Sequence, residues 1–341
     1  MGAVARYAYL HSRVSALSER LLSDPDVEAL IAVPPGQEGE ILALKGMQAM
    51  AAGGTPPSLE QRLIVVLVAD FAVLARALAG RPRDFLVYWA YRFELSNLKT
   101  ILRGRMTGQP TEAIRQELVE APFARLPIDE LLRTEDVAEL LRRLESTPFH
   151  DIAREARRIY EERHDLFALD SAVDRRYFAG LSREARAAEG REGNALKALV
   201  GDIVDRLNLL WLLRFRFAYG LPAAETYYLL IPATYRLSAR TLADLAQLGS
   251  MEEVLARLPE PLAALLAGSR DVPETTRRLE RHAWAHAERV LRYSSFNLAR
   301  VFAYLVLRER DLRRVRAVLK GKQLRMPPGI VRTAAALGGP G

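Results

Sequence analysis

Apolar residues recur at helical spacing along nearly the whole chain, and no convincing stretch alternates with the period of a strand. The one short candidate, Tyr227-Tyr228-Leu229-Leu230-Ile231, stops at Pro232. Leu, Ala, Arg and Glu are abundant and are strong helix formers. The pattern predicts an all-α fold. The most apolar run, Leu63 to Ala75, is broken by Asp70 and bounded by Arg62 and Arg76. It is well short of the roughly 20 residues needed to cross a bilayer and is predicted to be a buried core helix.

Within this periodicity one twelve-residue pattern occurs three times. Its copies are Glu94 to Arg105 (ELSNLKTILRGR), Asp205 to Arg216 (DRLNLLWLLRFR) and Asp311 to Lys322 (DLRRVRAVLKGK). Each has an acid at position one, aliphatics at five, eight and nine, and a basic residue at ten and twelve. A proline follows each, at Pro110, Pro222 and Pro327, and the copies start 111 and 106 residues apart. The aliphatics Leu98/Ile101/Leu102, Leu209/Leu212/Leu213 and Val315/Val318/Leu319 form an inward stripe. Asn97 and Asn208 share the surface of their acids. Asparagine is a poor helix former, so its recurrence fits either a hydrogen bond between helices or an exposed polar position. Three copies argue for a repeated helical unit.

Gly and Pro punctuate the chain between these copies. Pro34-Pro35-Gly36 and Gly53-Gly54-Thr55-Pro56-Pro57 interrupt the first unit, with Ser58 predicted as an N-cap. Arg81-Pro82 opens the next helix, which is expected to run to Gly104 as its left-handed C-terminal residue; Gly321 is expected to do the same in the third copy. Phe215 replaces this glycine in the middle copy, so that helix end is expected to differ. Segments Ile128 to Pro148 and Leu242 to Pro261 each read as a short helical hairpin, its second part opened by Glu135-Asp136 or Glu252-Glu253. The tail from Leu337 to Gly341 is expected to fray.

At 341 residues the chain suits two or three domains. Zero cysteines exclude disulfides, thiolate metal sites and cysteine nucleophiles, and fit a reducing compartment. The N-terminal segment predicts no signal peptide. A formal charge of +7 suits an acidic partner, but 49 basic residues stand interspersed among 42 acidic ones, as on a solvated helical surface.

Chemistry-bearing motifs are missing. There is no phosphate-cradling glycine loop and no nucleophile elbow. Of His11, His150, His164, His282 and His286, only the last two have ligand spacing, and no Glu follows His282 as a hydrolytic zinc helix requires. Glu161-Glu162 and Glu252-Glu253 are neighbours that point to different sides of a helix, so they form no acid/base dyad. No catalytic, cofactor or metal residue is assigned. The basic residues Arg103, Arg105, Arg214, Arg216, Lys320 and Lys322 are the candidate partner contacts. Arg214-Phe215-Arg216-Phe217 is also the best nucleic-acid-like stretch, although helix C-termini and amphipathic packing explain the same residues.

The segments that carry the repeat also carry a likeness. Tyr7 to Arg13 (YAYLHSR), Phe93 to Pro110, Asp174-Arg175-Arg176-Tyr177-Phe178, Asp202 to Leu213 and Tyr304 to Lys322 resemble, in order and spacing, the central-stalk adaptor of V-type and A-type rotary ATPases. That component is designated C in prokaryotic complexes and d in eukaryotic ones. The third copy departs at Arg314, where the other two hold Asn. The resemblance implies a funnel of three pseudo-symmetric helical domains: 1–115, 116–228, and 229–341 with the frayed tail. It implies a cytoplasmic spacer, peripheral on the membrane, between the proteolipid ring and the tip of the central shaft. Such a spacer takes no nucleotide, cofactor or small-molecule substrate and passes torque; a stiffly packed helical body suits that task. The alternative from another class is a helical-repeat nucleic-acid-binding protein, an enzyme having no constellation to rest on. Replacing Leu98, Leu212 or Val318 with Asp is expected to bury an unpaired charge and abolish the soluble, cooperatively melting protein.

Overall fold

The computed structural model describes residues 3–48, 59–119, 125–163, 165–189, 194–232 and 235–337. Among them the regular structure is helical, with no strand. Ser58, the segment Gly53 to Pro57, His164 and the tail residues Gly338 to Gly341 lie outside the described residues, whereas Leu337 is buried.

The elements run α1 (Ala3–Ser18), α2 (Asp24–Ala32), α3 (Gly39–Leu44), α4 (Leu59–Arg76), α5 (Arg81–Met106), α6 (Thr111–Glu117), α7 (Ile128–Leu131), α8 (Val137–Leu144) and α9 (His150–Arg163). They continue with α10 (Leu166–Glu189), α11 (Ala195–Leu213), α12 (Ala223–Leu229), α13 (Ala239–Ala246), α14 (Met251–Ala256), α15 (Leu262–Leu266), α16 (Val272–Tyr293), α17 (Leu298–Gln323) and α18 (Pro328–Ala334). The chain divides into two compact units: Met1–Arg83 with Trp284–Gly341, and Asp84–Ala283.

In the first unit α17 packs on α1, α2, α4 and α18. Asp70, the residue that interrupts the apolar run of α4, is buried there among donors. It accepts hydrogen bonds from Tyr304 Oη at 2.7 Å and from Arg308 Nε at 2.9 Å. Arg308 is itself fully buried, and its remaining nitrogens reach the carbonyls of Arg20, Lys45 and Gly46, just beyond the ends of α1 and α3. Satisfied on every side, the ion pair is tolerated; removing one partner would strand a charge in the core.

In the second unit α10 packs on α9 and α11, and α8 on α9. The Asp174–Phe178 step supplies much of this packing's polar order. Arg175 donates to Glu155 and to the Leu230 carbonyl, each at 3.0 Å, Arg176 pairs with Asp151 at 2.9 Å, and the Tyr177 hydroxyl donates to the Trp89 carbonyl at 2.8 Å. Both expected segments hold two short helices, α7 and α8 in the first and α13 and α14 in the second; α7 packs on α8, whereas α13 packs on α12 and α14 on α15. Their second helices are capped alike: Asp136 and Ser250 accept from the amides of Glu139 and Glu253, whose carboxylates accept in turn from Glu135 and Gly249.

The three motif copies occupy α5, α11 and α17, and eight of the nine stripe residues are fully buried; Leu319 is half-buried. Each copy leads to a seven-residue helix, α6, α12 or α18, that begins directly after its proline. Proline at that boundary leaves no amide unsatisfied and has its φ preset for the first turn. Two residues before the proline the backbone enters the left-handed region, at Gly108 (φ 67°), Gly220 (φ 68°) and Arg325 (φ 52°). The amide of the next residue, Gln109, Leu221 or Met326, returns to the carbonyl of motif position eleven at 2.8–2.9 Å.

These positions correct the expected role of two glycines. Gly104 and Gly321 lie inside their helices, not at left-handed ends. They are glycine because the short helix crosses against them: a Cβ would stand 2.5 Å from Ile114 at Gly104 and 2.6 Å from Val331 at Gly321. The middle copy holds Phe215 at this position, and its end does differ. Pro110 and Pro327 each lie 16 residues after the acid, but Pro222 lies 17 after Asp205. The extra residue is absorbed in a π-helical turn, Arg214–Ala218, whose Tyr219 amide reaches back to the Arg214 carbonyl at 2.8 Å. Gly321→Val is expected to cost about 1–3 kcal/mol by overpacking. Gly329→Ala, whose Cβ would meet open space within α18, should add about 0.5–1 kcal/mol. Denaturant midpoints moving in opposite directions would be the signature.

Candidate partner-contact surface

Motif position one is a buried acid in every copy, and each takes backbone amides from the segment that opens a short helix. Glu94 accepts from Arg125 and Leu126 at 2.5 and 2.6 Å. Asp205 accepts from Arg236 and Leu237 at 2.9 and 3.3 Å. Asp311 accepts from Leu22 at 2.8 Å and from the Arg310 guanidinium. Leu126, Leu237 and Leu22 each immediately precede the N-cap of α7, α13 or α2. The N-terminal segment therefore meets the last motif helix as α7 and α13 meet the first two.

Position four repeats the device. Asn97 both donates to the Val119 carbonyl and accepts the Val119 amide, at 2.7 and 2.9 Å. Asn208 does the same with Ile231, at 3.2 and 2.8 Å. Of the two roles open for these asparagines, the buried hydrogen-bonding one is correct; they fasten the exit of α6 and α12. In the third copy Arg314 takes the place, its Nε donating to the Ala335 carbonyl at the end of α18 at 3.1 Å, with Asp24 matching its charge.

The six basic candidates separate by position. Those at twelve point inward. Arg105 donates to the Leu132 carbonyl, at the end of α7. Arg216 donates to Ala246 at 2.8 Å and Leu248 at 3.3 Å, at the end of α13, and to Leu221 at 2.8 Å. Lys322 donates to the Val33 carbonyl, at the end of α2, and pairs with Glu38 at 2.9 Å. All three cap helix C-termini, where carbonyls lack partners and the dipole favours a cation.

Those at ten are exposed. Arg103 lies 3.4 Å from Asp170, Lys320 3.4 Å from Gln323, and Arg214 stands on the π-helical turn. The helical angle explains the split. At about 100° per residue, position twelve falls about 20° from position one and position ten about 180° away. That signal lies in the spacing of each basic residue from the acid at position one, not in the basic runs themselves.

Burial raises the pKa of all three acids, against the opposing pull of the amides at Glu94 and Asp205 and of the Arg310 guanidinium, then the Leu22 amide, at Asp311. Asp205 is pushed up to about 6. Its folded value thus exceeds its unfolded one, so its contribution to stability is complete below about 3.8 and is lost as pH rises through about 6. Among the described residues no group of three or more His, Asp or Glu side chains gathers as a metal site, and no helix is long and apolar enough to cross a membrane. Melting temperatures of the protein and of Asp205→Asn, compared from pH 4.5 to 7.5, should shift in favour of the Asn variant as pH rises. A constant difference would refute the titration.

Known proteins are similar to this chain along nearly its full length. The C subunit of the A-type ATP synthase from Methanocaldococcus jannaschii is 24% identical, over 97% of this chain and 86% of that protein. Its namesakes from Halobacterium salinarum and Thermococcus kodakarensis are 24% and 23% identical, over 94% and 92% of this chain and 95% and 86% of their own lengths. Residues 10–333, which contain all three motif helices, match the family described as ATP synthase (C/AC39) subunit. The chain belongs to that family, whose members are structural and not themselves catalytic.

Proposed function

We propose that this chain is the rotor adaptor of a V/A-type ATPase or ATP synthase, seated on the cytoplasmic face of the membrane and joining the central shaft to the proteolipid ring. The observation that carries the reading is family membership spanning residues 10–333, together with relatives that are named as the C subunit of A-type ATP synthases. The helix-to-segment fastening supports it. An adaptor must hand on torque without yielding, and each motif helix is tied to its neighbours by polar contacts, buried at positions one and four and half-buried at position twelve.

In the proposed domain scheme, units 1–115, 116–228 and 229–341 are built around these helices, with α2 serving the third as α7 and α13 serve the first two. Of the six basic residues, Arg103, Arg214 and Lys320 are the better partner contacts, because their counterparts at position twelve already serve carbonyls inside the fold. The same point weakens the nucleic-acid reading, which needs the whole basic runs free to meet phosphates.

The test is to tag the chain in its native host, solubilise the membranes gently and identify what copurifies. Head, shaft and proteolipid subunits are expected in stoichiometric amounts. Recovery of the chain alone from the soluble fraction would leave the family standing and sink the adaptor role.

A further inference from the structure

The turn that joins each motif helix to its proline-led helix can be compared copy by copy. Three and one residues before the proline, and three after it, stand Thr107, Gln109 and Ala113 in the first copy, and Tyr219, Leu221 and Glu225 in the second. The third copy places Leu324, Met326 and Ile330 there. These three are 58%, 42% and 50% exposed, and every residue from 323 to 330 lies at the surface. Equivalent backbones thus carry a polar tip in one copy and an apolar one in another, so packing of the tip itself does not demand the apolar residues.

This tip is held rigidly. The Met326 amide donates to Gly321 at 2.9 Å and the Leu324 amide to Lys320 at 3.0 Å, while Gly321 lies against Val331 and Arg314 holds the end of α18. A knob fixed in advance gives up little conformational freedom when it docks.

Its electrostatics are one-sided. After Asp311 the chain has no Asp or Glu, but it has seven cations. Arg313, Arg314, Lys322 and Arg332 are matched by Glu309, Asp24, Glu38 and Glu28. Among the described residues neither Lys320 nor Arg325 forms an ion pair, and these two flank the knob. Leu and Met side chains beside unmatched cations complement an apolar pocket with an acidic rim.

We propose that Leu324, Met326 and Ile330, flanked by Lys320 and Arg325, form a docking knob for an apolar, carboxylate-rimmed pocket on another subunit of the rotary complex. The proposal rests on the adaptor reading. An anionic lipid surface would attract the same charges, but stable membrane attachment takes a large amphipathic face or two anchoring signals, and three side chains on one tight turn supply neither.

The test uses the full chain in its native host, with a photo-crosslinking residue at Leu324 and, as a control, at Thr107. Two further variants are Leu324→Ser/Met326→Ser/Ile330→Ser and Lys320→Glu/Arg325→Glu. Because the altered side chains are exposed, both variants should melt like the parent. Expected are a crosslink from position 324, and none from 107, to one identified subunit of the complex at an acidic segment, with recovery of the apolar variant in the complex reduced at least tenfold and that of the charge variant also reduced. Parent and variants recovered equally in the complex would overturn the knob alone. A parent that enters no complex overturns the adaptor reading and the knob with it. A parent that sediments with phosphatidylglycerol vesicles through this tip, while position 324 gives no crosslink to a protein partner, would also overturn the proposal, in favour of lipid.

Discussion

A buried carboxylate can be tolerated only where hydrogen bonds replace the water it has lost, and this protein builds its architecture on that requirement. Glu94, Asp205 and Asp311 each stand at the inner face of a long helix, and each is satisfied by amides from another segment. Those amides belong to backbone entering a short helix, where donors are otherwise without partners. One contact therefore meets two needs, and it fixes where α7, α13 and α2 begin. The asparagines at position four and the cations at position twelve extend the same logic along the helix. The three positions share one face, so a single long helix positions the exit of one short helix and both ends of another.

Asp70 and Arg308 show the same economy in the first unit. A charge in the middle of the most apolar run looks like a flaw, but it neutralises a guanidinium that serves three carbonyls at once. The copies also tolerate variation without losing the plan. Arg314 substitutes for asparagine because Asp24 is at hand to match its charge. One additional residue in the middle copy is stored in a π-helical turn, so the left-handed residue and the proline keep their mutual spacing.

Residue order alone was enough to read the helical class, the three motif copies, the inward stripes, the start of α5 at Arg81, the paired short helices of the two segments and the odd end of the middle copy. Each of these is local or periodic information: an apolar face, a cap or a missing glycine acts within a few residues of itself. Family likeness was legible for the same reason, since it rests on ordered short motifs. Asn97 and Asn208 were visible as anomalies, but their partners lie 22 and 23 residues away. Their burial became plain only once the folded chain brought those partners in. Gly104 and Gly321 were read as helix ends because a glycine beside basic residues is a common C-terminal signal. The crossing of Ile114 and Val331 gave them another task, which no local pattern announces. The basic residues at ten and twelve looked alike in sequence. What parted them was the helix end waiting on one side and solvent on the other, because a cation's role depends on which carbonyls the fold brings within its reach.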